Sequence, residues 1–133
     1  MKNAITARHP RIQMIAEEAD ALTSLAIGAE NQMPEVSRLL LDEIDRAQIR
    51  SAETIGDNVV TMGSAVTYTD GASGSNRTIR LVYPRQADIA ADRVSILTPI
   101  GAALIGLREG QSILWPDRSG RERALTVCEV RHD

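Results

Sequence analysis

The sequence predicts an α+β chain: an N-terminal antiparallel helical hairpin, a short coiled coil, over residues 1–52, followed by an antiparallel β domain with one short helix over residues 53–133. Three observations carry this. Two apolar stripes at 3-4 spacing succeed one another before residue 48. From residue 58 the pattern changes to short β-branched runs separated by turn residues. The most apolar segment, ILTPIGAALIGLREGQSILWP at residues 96–116, is interrupted by Gly101, Gly106 and Gly110.

The first stripe, Ile12, Ile15, Ala19, Leu22 and Ala26, predicts a helix over residues 10–27 with Pro10 in its first turn, where a missing N–H costs nothing. At ~1.5 Å per residue such a helix is a rod of roughly 25 to 27 Å. Gly28 is the expected stop. The second stripe, Val36, Leu40, Ile44 and Ala47, starts at Pro34, with Glu35 near the positive end and Asp42 placed to pair with Arg46. The short link GAENQM makes an antiparallel hairpin the simplest arrangement. Such a hairpin is marginal alone, so it must lean on the rest of the protein or on a partner.

SAETIGD, residues 51–57, is the expected boundary. Beyond it NVVTM, AVTYT, TIRLVY, RVSIL, SILW and ALTVCEV read as strands, DGASGSN as a hairpin loop and PDRSG as a tighter one. Pro99 removes a ladder donor and ends the RVSILT strand. GAALIG then reads as one or two helical turns lying on a sheet. Gly106 is free to reverse the chain at positive φ, and Gly110 opens the next strand.

The totals exclude several functions. Phe is absent and there is one Trp, so a stacking platform for bases is disfavoured. The net charge is −3 and no basic cluster exceeds the local group Arg118, Arg121 and Arg123, which argues against direct sequence-specific nucleic-acid binding. Cys128 is the only cysteine, so it forms no internal disulfide; in an apolar strand it is expected to be a small buried hydrophobe rather than a nucleophile. No run approaches the ~20 apolar residues that span a bilayer, and the first residues lack a secretion-signal pattern, so a cytoplasmic protein without a membrane partner is expected. His9 and His132 lie in the terminal segments with no third ligand implied by spacing, and GAALIG lacks the lysine of a phosphate-binding loop. Neither a metal site nor another cofactor is expected.

VSILTPIGAALIGLREGQSI, residues 94–113, resembles the C-terminal signature of the Gre transcript-cleavage factors: a strand, then Ser/Thr-Pro-x-Gly-x-Ala-Leu-x-Gly, then a glycine turn. VVTMGSAVTYTD, residues 59–70, resembles the strand that opens the same domain. LLDEIDRAQIRSAE and LVYPRQAD, residues 40–53 and 81–88, are similar to the related regulators of nucleoside diphosphate kinase. The resemblance covers residues 38–131; the hairpin before residue 35 matches in outline.

The resemblance implies an FKBP-like β domain that docks at the rim of the RNA polymerase secondary channel while the hairpin points inward. Carried over by position, the polymerase-binding loop is Thr98, Pro99, Ile100 and Gly101, with Ser95 and Leu97 beside it. The same Pro99 and Gly101 are needed by a strand-to-helix turn in any protein, so an architectural reading stands beside the functional one. Gre-type cleavage requires acidic residues at the hairpin tip to hold or position Mg²⁺. Here the tip offers Glu30 and Glu35, separated by Asn31, Gln32, Met33 and Pro34, and Glu35 already serves a helix start. The expected function is therefore non-catalytic: a polymerase-binding regulator that competes with Gre-type cleavage factors. The alternatives are direct control of nucleoside diphosphate kinase or nucleotide pools, and Mg²⁺-assisted transcript cleavage. Prolyl isomerisation, which needs an aromatic-lined pocket, is poorly served by this composition.

Overall fold

The computed structural model describes residues 9–116 and 119–133. Pro10 does not begin a helix. Ile12 and Met14 drop into the core, and between and after them β1 (Gln13–Ile15) pairs in parallel with β2 (Gln48–Arg50). The backbone here is claimed from two sides, which overrides the helical stripe: Gln48 N–H donates to the Ile12 carbonyl at 2.9 Å, and Gln13 N–H donates to that of Gly106 at 3.2 Å. Helix α1 (Ala16–Gly28) starts only afterwards, with Glu17 and Glu18 in its first turn, where the helix dipole favours negative charge. It buries Ala19, Leu22 and Ala26 and ends at the expected glycine.

Helix α2 (Pro34–Arg46) begins with the expected proline and has Glu35 in its first turn. Each helix has 13 residues. At ~1.5 Å per residue that is roughly 20 Å, shorter than the rod the stripes suggested. Ser37 Oγ donates to the Ala26 carbonyl at 2.7 Å and ties the two helices together just below the link. The expected Asp42–Arg46 pair does not form. Arg46 turns instead to Glu43, with Nη2 at 2.6 Å from Oε1, because Glu43 is only 2% exposed and a buried carboxylate left unpaired is far more costly than an exposed one.

The second half forms a five-stranded sheet in the order β5-β4-β3-β7-β6. Its strands are β3 (Ala65–Asp70), β4 (Asn76–Val82), β5 (Arg93–Ser95), β6 (Ser112–Pro116) and β7 (Glu122–Arg131). DGASGSN makes the expected hairpin between β3 and β4. The sheet is nevertheless mixed rather than antiparallel throughout: β5 joins β4 in parallel after a crossover through two 3-10 turns, Pro84–Gln86 and Ile89–Ala91. NVVTM is not a strand either. Val59 makes a single bridge with Arg108, and Gly63 at φ 86° turns the chain before a ladder can extend.

Cys128 is exposed, against expectation. Opposite β7, Thr67 pairs with Glu129 while the next residue, Tyr68, pairs with Val127. Cys128 is thus the extra residue of a bulge, which breaks the inward-outward alternation and sends both Cys128 and Glu129 to solvent while Val127 and Val130 stay buried.

Helix α3 (Pro99–Leu104) buries Gly101, Ala102, Ala103 and Leu104 between α2 and the sheet. One core therefore runs from Leu22 and Leu40 in the hairpin through Leu104 to Val66, Ile113 and Leu125. Among the described residues no helix is long and apolar enough to cross a membrane.

Leu40→Ala is expected to cost ~2 to 5 kcal/mol, since a fully buried side chain leaves a cavity between α2 and α3; chemical denaturation measures it. A second expectation concerns Glu18, whose carboxylate accepts the Met62 N–H at 3.0 Å and so joins α1 to the loop before β3. Burial raises its pKa above 4.5, an effect partly offset by that hydrogen bond and by His132. The folded state then holds the proton more tightly than the unfolded chain, so this contribution to stability is greatest while Glu18 is protonated and declines as pH rises from 4.5 through the folded value. Glu18→Gln should flatten that decline in denaturation midpoints taken across the acid range.

Candidate docking surface

The turn between β5 and α3 is built from its own hydrogen bonds. Thr98 Oγ1 donates to the Ser95 carbonyl at 2.7 Å and accepts the Gly101 N–H at 3.1 Å, so one hydroxyl closes the turn and caps α3. Ser95 Oγ accepts the Leu97 N–H at 3.0 Å. Pro99 occupies the first turn of the helix. A Cβ on Gly101 would run into the Ser95 carbonyl oxygen and stand 2.9 Å from Ile96 Cα, so the glycine permits a close approach of helix to strand.

This turn forms one wall of an open groove of about 670 Å³. Of the six residues expected to bind polymerase, Ser95, Thr98, Pro99 and Ile100 line the groove. Leu97 packs partly against the core and Gly101 is buried, so these two support the wall from behind. Glu30 and Glu35 lie elsewhere, in and beside the exposed link between α1 and α2.

The floor and far side of the groove come from residues to which the sequence assigned no binding role. Tyr68, Trp115 and Leu125 supply apolar surface, and Arg77 and Arg123 stand beside them. Burial raises the Tyr68 pKa above 10, with the Arg77 charge opposing the shift. The alternation in SILWP, which sends Ile113 and Trp115 to one face, was the available signal. The expectation of an ill-equipped pocket thus meets a groove containing two of the chain's three aromatic side chains.

A polar cluster links this floor to the hairpin. His9 Nδ1 lies 3.3 Å from Glu43 Oε2, and the His9 ring stands edge-on to Trp115 with centroids 6.0 Å apart. At the other end of the chain His132 closes the loop before β3. Its Nε2 donates to the Asp57 carbonyl at 2.8 Å, so Nδ1, 3.1 Å from Ser64 Oγ, is left to accept. This Ser–His pair is structural: Ser64 is fully buried and the third member is a backbone carbonyl, not a carboxylate. Among the described residues no group of three or more His, Cys, Asp or Glu side chains could hold a metal ion.

Thr98→Ala is expected to lower stability by ~0.5 to 2 kcal/mol through loss of the cap. Gly101→Ala should do further damage by displacing α3 from the Ser95–Ile96 backbone, with a larger loss in thermal midpoint than at Gly28, where a Cβ meets nothing within 4 Å. Equal midpoints for the Gly101 and Gly28 variants would contradict the close approach.

Residues 55–132 match the family described as "Transcription elongation factor, GreA/GreB, C-term". Over 90 residues the chain is 40% identical to the "Regulator of nucleoside diphosphate kinase" of Escherichia coli (strain K12), a stretch covering 68% of this chain and 66% of that protein. It is 32% identical over 130 residues to "Transcription elongation factor GreA" of Azorhizobium caulinodans, covering 92% of this chain and 82% of the relative. Among solved structures it is similar to the prokaryotic transcription elongation factor GreA/GreB from Nitrosomonas europaea, with a TM-score of 0.72 at 31% identity over 91% of this chain and 99% of that one. With more than half of the chain matching the family's C-terminal segment, and a helical pair and sheet arranged as in a solved relative, the chain belongs to the GreA/GreB family of transcription elongation factors and is similar within it to the regulators of nucleoside diphosphate kinase.

Proposed function

We propose that this chain is a non-catalytic regulator of RNA polymerase. Its β unit, residues 53–133 with an FKBP-like form, docks at the rim of the secondary channel, and its hairpin, residues 1–52 in the manner of a short coiled coil, enters the channel and excludes Gre-type cleavage factors. The observation that supports this most is the presentation of Ser95, Thr98, Pro99 and Ile100 as one wall of an open groove in a chain of the GreA/GreB family. Exposed apolar and polar atoms at a groove edge give a partner both contact area and register.

Two features favour occupancy over bond cleavage. Helices of 13 residues give the hairpin a reach of roughly 20 Å. Its tip offers Glu30 and Glu35, both exposed and separated by Pro34, and a hard Mg²⁺ ion needs several oxygen ligands held together. A cytoplasmic location accompanies this reading.

The 40% identity to a protein named as a regulator of nucleoside diphosphate kinase supports a second reading, direct action on that kinase. Purified kinase assayed with and without the chain separates the two, because an effect exerted through transcription leaves the isolated enzyme unchanged.

The polymerase reading predicts that the chain is retained by immobilised core RNA polymerase and displaced by GreA. Ile100→Asp should weaken retention by at least about ten-fold. Stalled elongation complexes should release no 3′ RNA fragment when the chain and Mg²⁺ are added. Failure of retention at saturating protein disproves docking, and fragment release disproves the non-catalytic assignment.

A further inference from the structure

The charge of the groove is opposite to that of the molecule. The chain as a whole carries −3, yet among the described residues the charged side chains lining the groove are Arg77, Arg93 and Arg123 against Asp92. Arg77 faces Asp92 at 3.8 Å with both side chains more than half exposed, a contact that water screens and a competing carboxylate can replace. Arg123 lies 3.2 Å from Asp70. Arg93, on the exposed edge strand, takes part in no ion pair among the described residues.

Between these cations the surface is apolar. Ile89, at 86% exposed, is the most exposed large aliphatic residue described, and it stands on the 3-10 turn that rims the groove. Leu125 and Ile100 continue the apolar lining inward. Trp115, buried at the floor, has an indole N–H without a hydrogen-bond partner, an unusual state for a buried donor. A volume of about 670 Å³ suits a few residues of extended chain rather than a whole helix.

We propose that this groove is a binding site for a short acidic peptide segment with an apolar anchor. The aliphatic side chain sits between Ile89, Ile100 and Leu125, and flanking carboxylates pair with Arg93 and Arg77. The assignment rests on the docking reading in sharing the Ser95–Ile100 wall, and it adds the chemistry of the segment that the wall admits. Single-stranded RNA would also be drawn to arginines beside aromatic rings, but Tyr68 and Trp115 are both buried and offer it little to stack on.

Trp115 is the only Trp in the chain and reports occupancy directly by its fluorescence. The probes are the capped hexapeptide Asp-Glu-Leu-Ile-Glu-Asp, the same peptide with Lys for each acid, the same peptide with Ser for Leu and Ile, and a uridine hexanucleotide. The acidic apolar peptide should give a saturable change below about 1 mM, with each of the other three at least about ten-fold weaker. Arg93→Glu should weaken the acidic peptide by at least about ten-fold while Arg93→Lys keeps most of the affinity. No saturable change, equal binding of the lysine or serine peptide, tighter binding of the oligonucleotide, or full affinity in a folded Arg93→Glu protein would each overturn the proposal. Polymerase retention is read separately: peptide binding without retention removes the docking reading and leaves the groove assignment, whereas retention without peptide binding removes the groove assignment alone.

Discussion

The approach of α3 to the backbone of Ser95 and Ile96 is the constraint around which the rest of the molecule is arranged. It is possible only because residue 101 has no side chain, and it is secured by the Thr98 hydroxyl, which closes the turn and caps the helix together. From that position α3 places Ala102, Ala103 and Leu104 in the core, where they meet α2 on one side and the sheet on the other. The same turn puts Pro99 and Ile100 at the groove edge. Architecture and groove edge are therefore two aspects of one turn, and a substitution that moves the first moves the second.

The hairpin is joined to the β unit by more than the linker. Its base is held by the β1–β2 ladder, by Glu18 on the Met62 N–H and by the buried Glu43, which Arg46 and His9 share. His9 in turn abuts Trp115 at the groove floor. Within the described part of the hairpin, residues 27–35 are exposed apart from half-buried Ala29, and Ile27 and Met33 expose apolar surface there. The projecting part is consequently short, and the base of the hairpin and the floor of the groove belong to one packed body.

The catalytic options narrow by geometry. His132, Ser64 and Thr61 make a connected polar network, but it is spent on satisfying buried groups of the loop before β3. Cys128 reaches solvent through a bulge and contacts Thr69 on the hydroxyl-rich outer face of the sheet, away from the apolar interior that its neighbours Val127 and Val130 occupy.

What the amino-acid order determined by itself is whatever local chemistry compels. Pro34 begins a helix, Pro99 closes off the strand before it, Gly106 reverses the chain, DGASGSN is a hairpin loop, and Ala19, Leu22, Ala26 and Leu40 are buried, although Pro10 shows that a proline alone does not compel a helix. The strand-to-helix turn at Pro99 and Gly101 was legible for the same reason, whereas the choice of Ser95, Thr98 and Ile100 as contact residues came from the resemblance to the Gre factors. Tertiary structure alone decided where distant backbone took precedence. Residues 13–15 became a strand because Gln48 and Gly106 bond to that stretch of chain, β5 joined its neighbour in parallel because of the crossover before it, and Cys128 faced outward because β3 imposed a bulge. The groove belongs to this second class: Tyr68, Arg77, Ile89, Trp115 and Arg123 come from separate strands and turns, and nothing in their local spacing records that the sheet and the crossover bring them together.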